Sequence, residues 1–503
     1  MYGLKEKHIN AINSVFSKYP QIEKTILYGS RAKGNYRNGS DIDLTLVGDD
    51  LDLTTLFKIE TKLDDLLLPY KMDLSILHKI ENQDLVDHIK RVGITFYEKM
   101  ASEWKEVLLS NHIDLISGYA FKSKDFLENQ IENTLPIIKI KNIANGDVNL
   151  EKVVYHKYDD SLSKFLLTKG DVLIAMTGNH PQAQTQVVGD VSKYKLSENS
   201  LLNQRVGKIV TKGKTDLDFI YYFFKDKDTH RYLANQSSGS ANQANISKAT
   251  IVGLKTELPA PTEQKSIAEI LTSLDDKIDL LHRQNKTLET LAETLFREWF
   301  VENAEEDWEE EPLSSIAAFL NGLACQKFPP KNEIDKLPVL KIKQLRSGFS
   351  NDCDWCTTDV KPQYIVHNGD VIFSWSASLM VKIWDGETAI LNQHLFKVTS
   401  DKFPKWYYYL WSKHHLEEFI SISASHATTM GHIKRGDLDN AMVLVPDDDK
   451  MIEFTEIQEP IIERIITNNK QLSKLVELRE TLLPQLMSGE IKVNFEKLEE
   501  KIL

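Results

Sequence analysis

LPIIKIKNI at residues 135–143 and LPVLKIKQL at 337–345 are two versions of one nine-residue stretch, and this pairing decides how the chain is read. Further matches fall in the same order on both sides of it. WKEVLLSNHIDLISG at 104–118 answers to WEEEPLSSIAAFLNG at 308–322, and TKGDVLIAMTG at 168–178 to HNGDVIFSWSA at 367–377. LLNQRVGKIV at 201–210 answers to ILNQHLFKVT at 390–399, residues 246–259 to 433–446, and LETLAETLF at 288–296 to LVELRETLL at 475–483. The offset falls from about 204 to 187, so the second copy has shorter loops. A collinear series over most of 400 residues means one module written twice.

Each copy opens with short β-branched runs, IIKIKNI, DVLIAM and VGKIV in the first and VLKIKQL, DVIFSW and LFKVT in the second, which predict strands. Lys-Gly-Asp and Asn-Gly-Asp before the apolar runs are turn chemistry. An aromatic helix is predicted at 219–226 and 406–413. Thr262 is the expected N-cap of a long helix whose apolar positions step by four and three: Ile267, Leu271, Leu274, Ile278, Leu281, Asn285, Leu288, Ala292, Leu295. The second copy repeats the seam through Ile461, Ile465, Asn468, Leu472, Leu475, Arg479 and Leu482. Two helices of roughly 35 residues, about 50 Å each, would pack as a coiled-coil spacer, with a polar Asn in each seam to fix register.

The bulk numbers set limits. The 503 residues are 41% hydrophobic and 27% charged, which suits several folded domains. No apolar run reaches the roughly 18 residues of a membrane span, and MYGLKEKHIN lacks a signal-peptide core, so a cytoplasmic home is expected with no membrane partner. The net charge of −13 opposes non-specific attraction to a polyanion. It is uneven, however: residues 101–265 come to about +2, while an acidic cluster spans 302–311. A basic partner subunit would supply much of that attraction.

A β-rich domain ending in LPAPTEQKSIAEIL at 258–271 and a long helix, followed by the same again, resembles the specificity subunit of a type I restriction–modification system. VPDDDKMIEF at 445–454 departs from the Pro-Thr-Glu-Gln pattern. The resemblance implies an α+β multidomain chain with two target-recognition domains (101–262 and 301–450), each followed by a spacer helix (263–300 and 451–503). It implies a split, asymmetric double-stranded DNA target, with methyltransferase subunits and motor–nuclease subunits as partners. This part is expected to be non-catalytic. Consistently, there is no GxxxxGK[ST] phosphate loop and no Asn-Pro-Pro-aromatic motif.

Two polar loops are the candidate DNA contacts, 237–248 and 424–436, because their side chains suit phosphate and base-edge hydrogen bonds. The residues named are Ser238, Ser240, Asn242, Gln243 and Lys248, with Thr428, Thr429, His432, Lys434 and Arg435. Lys139/Lys141 and Lys341/Lys343 are read as alternating outward on strands, as a basic edge or a solvated face. Asn203-Gln204 and Asn392-Gln393 are read as internal hydrogen-bonding pairs. Cys353-Asp-Trp-Cys356 with Cys325 and a histidine such as His367 falls short of a persuasive zinc set, and ordinary loop thiols are expected.

Residues 1–100 carry a separate motif. In ILYGSRAKGNYRNGSDIDLTLV at 26–47, Gly29-Ser30 precedes Asp41-Ile42-Asp43, and Asp73 follows in YKMDLSIL. Strand alternation puts Asp41 and Asp43 on one face. Oxygen ligands suit Mg²⁺, and paired ions can clamp an in-line displacement. Gly29 lets the backbone approach phosphate, Ser30 offers a hydroxyl, and Arg31 and Lys33 would balance triphosphate charge. The segment resembles a minimal nucleotidyltransferase of the antitoxin type, with a polymerase-beta-like fold. That implies transfer of NMP from an NTP to a hydroxyl, with a partner subunit or a separate toxin as protein acceptor. Two readings stay open: a DNA-specificity subunit with an accessory transferase, and a protein-modifying nucleotidyltransferase whose repeat is a partner-binding scaffold.

Overall fold

A computed structural model describes residues 2–492 apart from 20, 38, 99–103, 145, 180–187, 241–242, 350–352 and 426–430. Its contacts divide the chain into two units, Met1–Lys265 with Gln485–Leu503, and Ser266–Pro484. Asn242, Thr428 and Thr429 lie outside the described residues.

The front of the first unit is a four-stranded sheet in the order Met72–Ile76, Ile42–Val47, Lys24–Tyr28, Ile94–Glu98. The first pair is parallel and the other two are antiparallel. Alternation along Ile42–Val47 buries Ile42, Leu44 and Leu46 completely and turns Asp43 to the other face. Helices Glu6–Phe16 and Leu53–Asp64 cover the apolar face through Ile12, Phe16 and Ile59. Asp52 caps the second of these, accepting from the Thr55 amide at 2.7 Å.

The duplicated module is visible down to individual side chains. The predicted turns fold as Gly170 at φ +99° and Gly369 at φ +96°, a conformation that favours glycine. Asp171 and Asp370 each accept from the amide three residues back, of Thr168 and His367, both at 2.8 Å. Each also pairs with a lysine of the strand lying antiparallel beside the one it precedes, Lys208 at 2.8 Å and Lys397 at 2.7 Å. Those lysines then donate to the carbonyls of Leu166 and Ile365. Gly118 and Gly322 are also equivalent: a Cβ there would meet the carbonyl oxygen of Asn203 at 2.1 Å or of Asn392 at 2.2 Å. The matching helices Leu217–Lys225 and Lys405–His414 bury their aromatic runs against their own sheets, Phe219 to Phe224 and Trp406 to Trp411.

The long helices run Pro261–Arg297 and Asp448–Met487. The first begins at Pro261, one residue before the expected cap at Thr262, because proline fits the first helical position, where its missing N–H costs nothing. Within the second unit the helices pack antiparallel: Asp275 meets Arg479 at 2.9 Å, Asn285 meets Asn468 and Asn469, and Gln458 donates to the Ala292 carbonyl at 3.0 Å. Ile278, Leu281 and Leu472 fill the seam between the polar layers. The predicted asparagines form one buried layer, with Asn285 Nδ2 donating to Asn469 Oδ1 at 2.6 Å and Asn468 Nδ2 to Asn285 Oδ1 at 2.8 Å. Asn285→Ala should leave two buried amide groups unpaired and cost about 1–3 kcal/mol. A urea midpoint unchanged from the parent would contradict that.

Two expectations need correction. Strands Thr134–Ile138 and Lys336–Leu340 end before the four lysines. Lys139 and Lys341 start short helical turns instead, Ile140–Asn142 and Ile342–Ser347, so no strand alternation applies to them. Lys139 lies over the Phe126 ring at 4.2 Å, and Lys341 pairs with Asp354. Two of the three thiols are also not in a loop: Cys356 sits fully buried in strand Trp355–Thr357, and Cys325 is buried in a helical turn, while half-buried Cys353 does lie in irregular chain as expected. Burial pushes the Cys325 thiol up to about 12, which keeps it protonated.

Candidate functional site

In the front domain, register brings the predicted carboxylates together. Asp43 lies opposite Asp73 across a parallel pair and opposite Tyr28 across the antiparallel one. Asp41 sits just before the same strand as Asp43. Burial, then the nearby negative charges of Asp73 and Asp41, raise the Asp43 carboxyl above its ordinary range. Lys71 faces this cluster, with Nζ 3.1 Å from Asp73 and 3.6 Å from Asp41. Among the described residues no three His, Cys, Asp or Glu are gathered tightly enough to enclose an ion. The donors nevertheless fit a hard divalent cation: three carboxylate side chains on adjacent strand ends, with Asp43 opposite Asp73 in register.

Gly29 has φ +70°, and a Cβ there would lie 2.0 Å from Asp43 Oδ2. The backbone therefore passes directly under the carboxylate. Gly29→Ala should displace Asp43 and destabilise the domain by about 1–2 kcal/mol through left-handed strain alone. Thermal unfolding of the variant checks this; an unshifted midpoint would contradict it. Ser30 is half-buried at the start of the short helix Gly29–Lys33, and Lys33 is exposed at its end.

Arg31 is placed differently from the triphosphate contact read from the sequence. The residue is 3% exposed, and its guanidinium donates to the carbonyls of Tyr2, Ser40 and Asp41. It anchors the segment that carries Asp41, so it is a positioning residue. Lys71 was not singled out in the sequence. Its signal was present: two residues before Asp73, it shares that residue's side of the chain by strand alternation.

In the repeat, the two copies build the same node from three chain segments. In copy one, Thr177 ends the Lys-Gly-Asp hairpin region and pairs in register with Asn245, its Oγ1 donating to Asn245 Oδ1 at 2.7 Å. Arg205 Nη1 reaches both, at 3.4 Å and 3.2 Å. In copy two, Ser376 bridges His432, and its hydroxyl lies 3.2 Å from His394 Nδ1. Gln393 Nε2 lies 3.3 Å from the other ring nitrogen of His394. His394, Gln393, Lys341 and Lys343 line a groove of about 670 Å³ beside the partly exposed Trp355. The Asn-Gln pairs are thus only partly internal: Asn392 is buried, but Gln204 is exposed. Of the loop candidates, Ser238 is exposed on strand Ser238–Ser240, which pairs with Gln243–Asn245. Lys248 is exposed and paired with Asp114 at 2.7 Å, Lys434 and Arg435 are exposed, and His432 is half-buried at the node.

The comparisons agree with this division. Residues 101–290 and 305–478 both match the type I restriction modification DNA specificity domain, and the chain belongs to that family. Residues 10–101 match the polymerase beta nucleotidyltransferase family. The MjaIX type I specificity subunit of Methanocaldococcus jannaschii is 26% identical over 396 residues, covering 71% of this chain and 90% of the relative. The EcoKI specificity subunit of Escherichia coli is 22% identical over 427 residues, covering 78% and 90%. The front domain is 34% identical, over 93 residues, to a Methanocaldococcus jannaschii protein provisionally named a protein adenylyltransferase; the match covers 18% of this chain and 85% of the relative. The crystal structure of a type I S subunit from M. genitalium shares the fold, with a TM-score of 0.51 and 14% identity over 77% of this chain and 97% of the other. Among the described residues no helix is long and apolar enough to cross a membrane.

Proposed function

We propose that each copy of the repeat reads one block of a split duplex DNA target, and that the paired helices fix the distance between the blocks. The observation that carries this reading is the duplication of the node in both copies of a DNA-specificity family module. Polar side chains there can supply base-edge contacts, while surrounding lysines supply phosphate contacts that set position. Methyltransferase subunits and motor–nuclease subunits are the partners, and they carry the chemistry on DNA. The outer faces of the spacer helices, including exposed Leu280, Leu291 and Leu478, suit such docking. Selection from a random duplex library by the chain with its methyltransferase tests the reading. Two short blocks at constant separation support it; one continuous motif, or none, contradicts it. Removal of residues 1–100 should leave the selected motif unchanged, as expected of an accessory front domain.

The front domain transfers a nucleoside monophosphate to a protein hydroxyl. The hydroxyl oxygen attacks the α-phosphorus and releases its proton to solvent, the bond to the bridging oxygen breaks, and pyrophosphate leaves. Asp41, Asp43 and Asp73 would hold Mg²⁺, which supplies charge neutralisation when bound. Gly29 leaves room for the Asp43 carboxylate at the backbone, Ser30 and Lys33 contact the phosphates, and Arg31 holds the Asp41 segment in place. A partner subunit or a separate toxin is the acceptor class.

A further inference from the structure

We propose that Arg205 and His394 are the specificity-determining residues of the two copies, each reading a base edge in its own block. The inference rests on the DNA-reading function above and assigns it to one position per copy. The two residues occupy corresponding places, each directly after a Leu-Asn-Gln run. The backbone around them is the same. Gln204 and Gln393 donate their amides to the carbonyls of Tyr119 and Leu323, at 2.9 Å and 2.8 Å. Ile246 and Ile433 donate theirs to Met176 and Trp375, at 2.9 Å and 3.1 Å, which ties the described C-terminal part of each candidate loop to the node. A hydroxyl stands at the same point in each copy, Thr177 or Ser376, and touches the residue in question.

Against this shared frame the side chain itself changes. Copy one presents an exposed arginine of whose guanidinium, among the described residues, only Nη1 is engaged, by Thr177 and Asn245. A guanidinium held at one corner keeps a planar fork to offer, the geometry that binds the O6 and N7 edge of guanine. Copy two presents a histidine set between Ser376 and Gln393 and against the Trp375 ring at 5.9 Å, which makes a single-point contact. A common mount carrying a different head is what two modules need to read different bases from the same approach. Neither residue is needed to hold the frame, since the matching hydrogen bonds are made by the main chain.

The test is library selection by the full chain with its methyltransferase, comparing the parent with Arg205→Ala, Arg205→Lys and His394→Ala. Arg205→Ala should relax one or two base pairs, including a G·C pair, in one block. Discrimination there should fall about ten-fold or more, with the other block and the spacing unchanged. His394→Ala should do the same in the opposite block. Arg205→Lys keeps the charge and loses the fork, so it should relax the same pair while keeping overall affinity. Rescue by lysine, an even loss across both blocks, or an unchanged motif would each overturn the proposal. A lowered unfolding midpoint in both Arg205 variants would also overturn it, by making Arg205 a structural residue. If the parent itself selects no split motif, the underlying DNA reading fails instead.

Discussion

Replacing both Asp41 and Asp43 by alanine should reduce nucleotidyl transfer by at least about 10³-fold, because the charge that develops on the transferring phosphate loses its ion site. The two residues stand with Asp73 on adjacent strand ends, where burial first and then the charges of Asp73 and Asp41 raise the Asp43 carboxyl. Incubation with each radiolabelled NTP and Mg²⁺, with partner subunits present, reads the effect directly. Label on a protein that disappears in the double variant is the expected result. Label that persists at the parent level would place the chemistry elsewhere. The variant should select the same DNA motif as the parent, since the repeat is a separate module in sequence and in family.

The second large effect concerns spacing. Seven residues inserted after Leu281, with seven more inserted before Leu472, preserve the seam phase and lengthen the antiparallel pair by about 10 Å, close to three base-pair steps. That distance cannot be taken up by side-chain movement. Specific affinity for the original target should therefore fall about 10³-fold or more, toward non-specific binding, because only one block is engaged at a time. Each block alone should still be enriched. Retention of the original spacing at full affinity would show that the helices do not set it.

Much of this was legible in the sequence because it rests on local rules. The repeat, the glycine turns at Gly170 and Gly369, the heptad seam and the Gly-Ser…Asp-Ile-Asp motif all follow from periodicity or from a residue's conformational range. What stayed hidden depends on where segments far apart in sequence meet. Arg31 looks like a phosphate ligand until its buried position among the carbonyls of Tyr2, Ser40 and Asp41 is seen. Gln204 looks like half of an internal pair, and only the structure shows it exposed, next to an Arg205 that reaches Asn245 some forty residues on. The lysines at 139 and 341 illustrate the opposite failure. An alternating pattern was extended one step too far, past the point where the chain turns into a short helix.

Methylation mapping tests the central claim most directly. DNA from cells carrying this chain and its methyltransferase, sequenced for modified bases, should show every modification inside a motif of two short, different blocks at one constant separation. Modification in a continuous or single-block motif, or at sites sharing no sequence, would contradict a chain that reads DNA with two copies of one module.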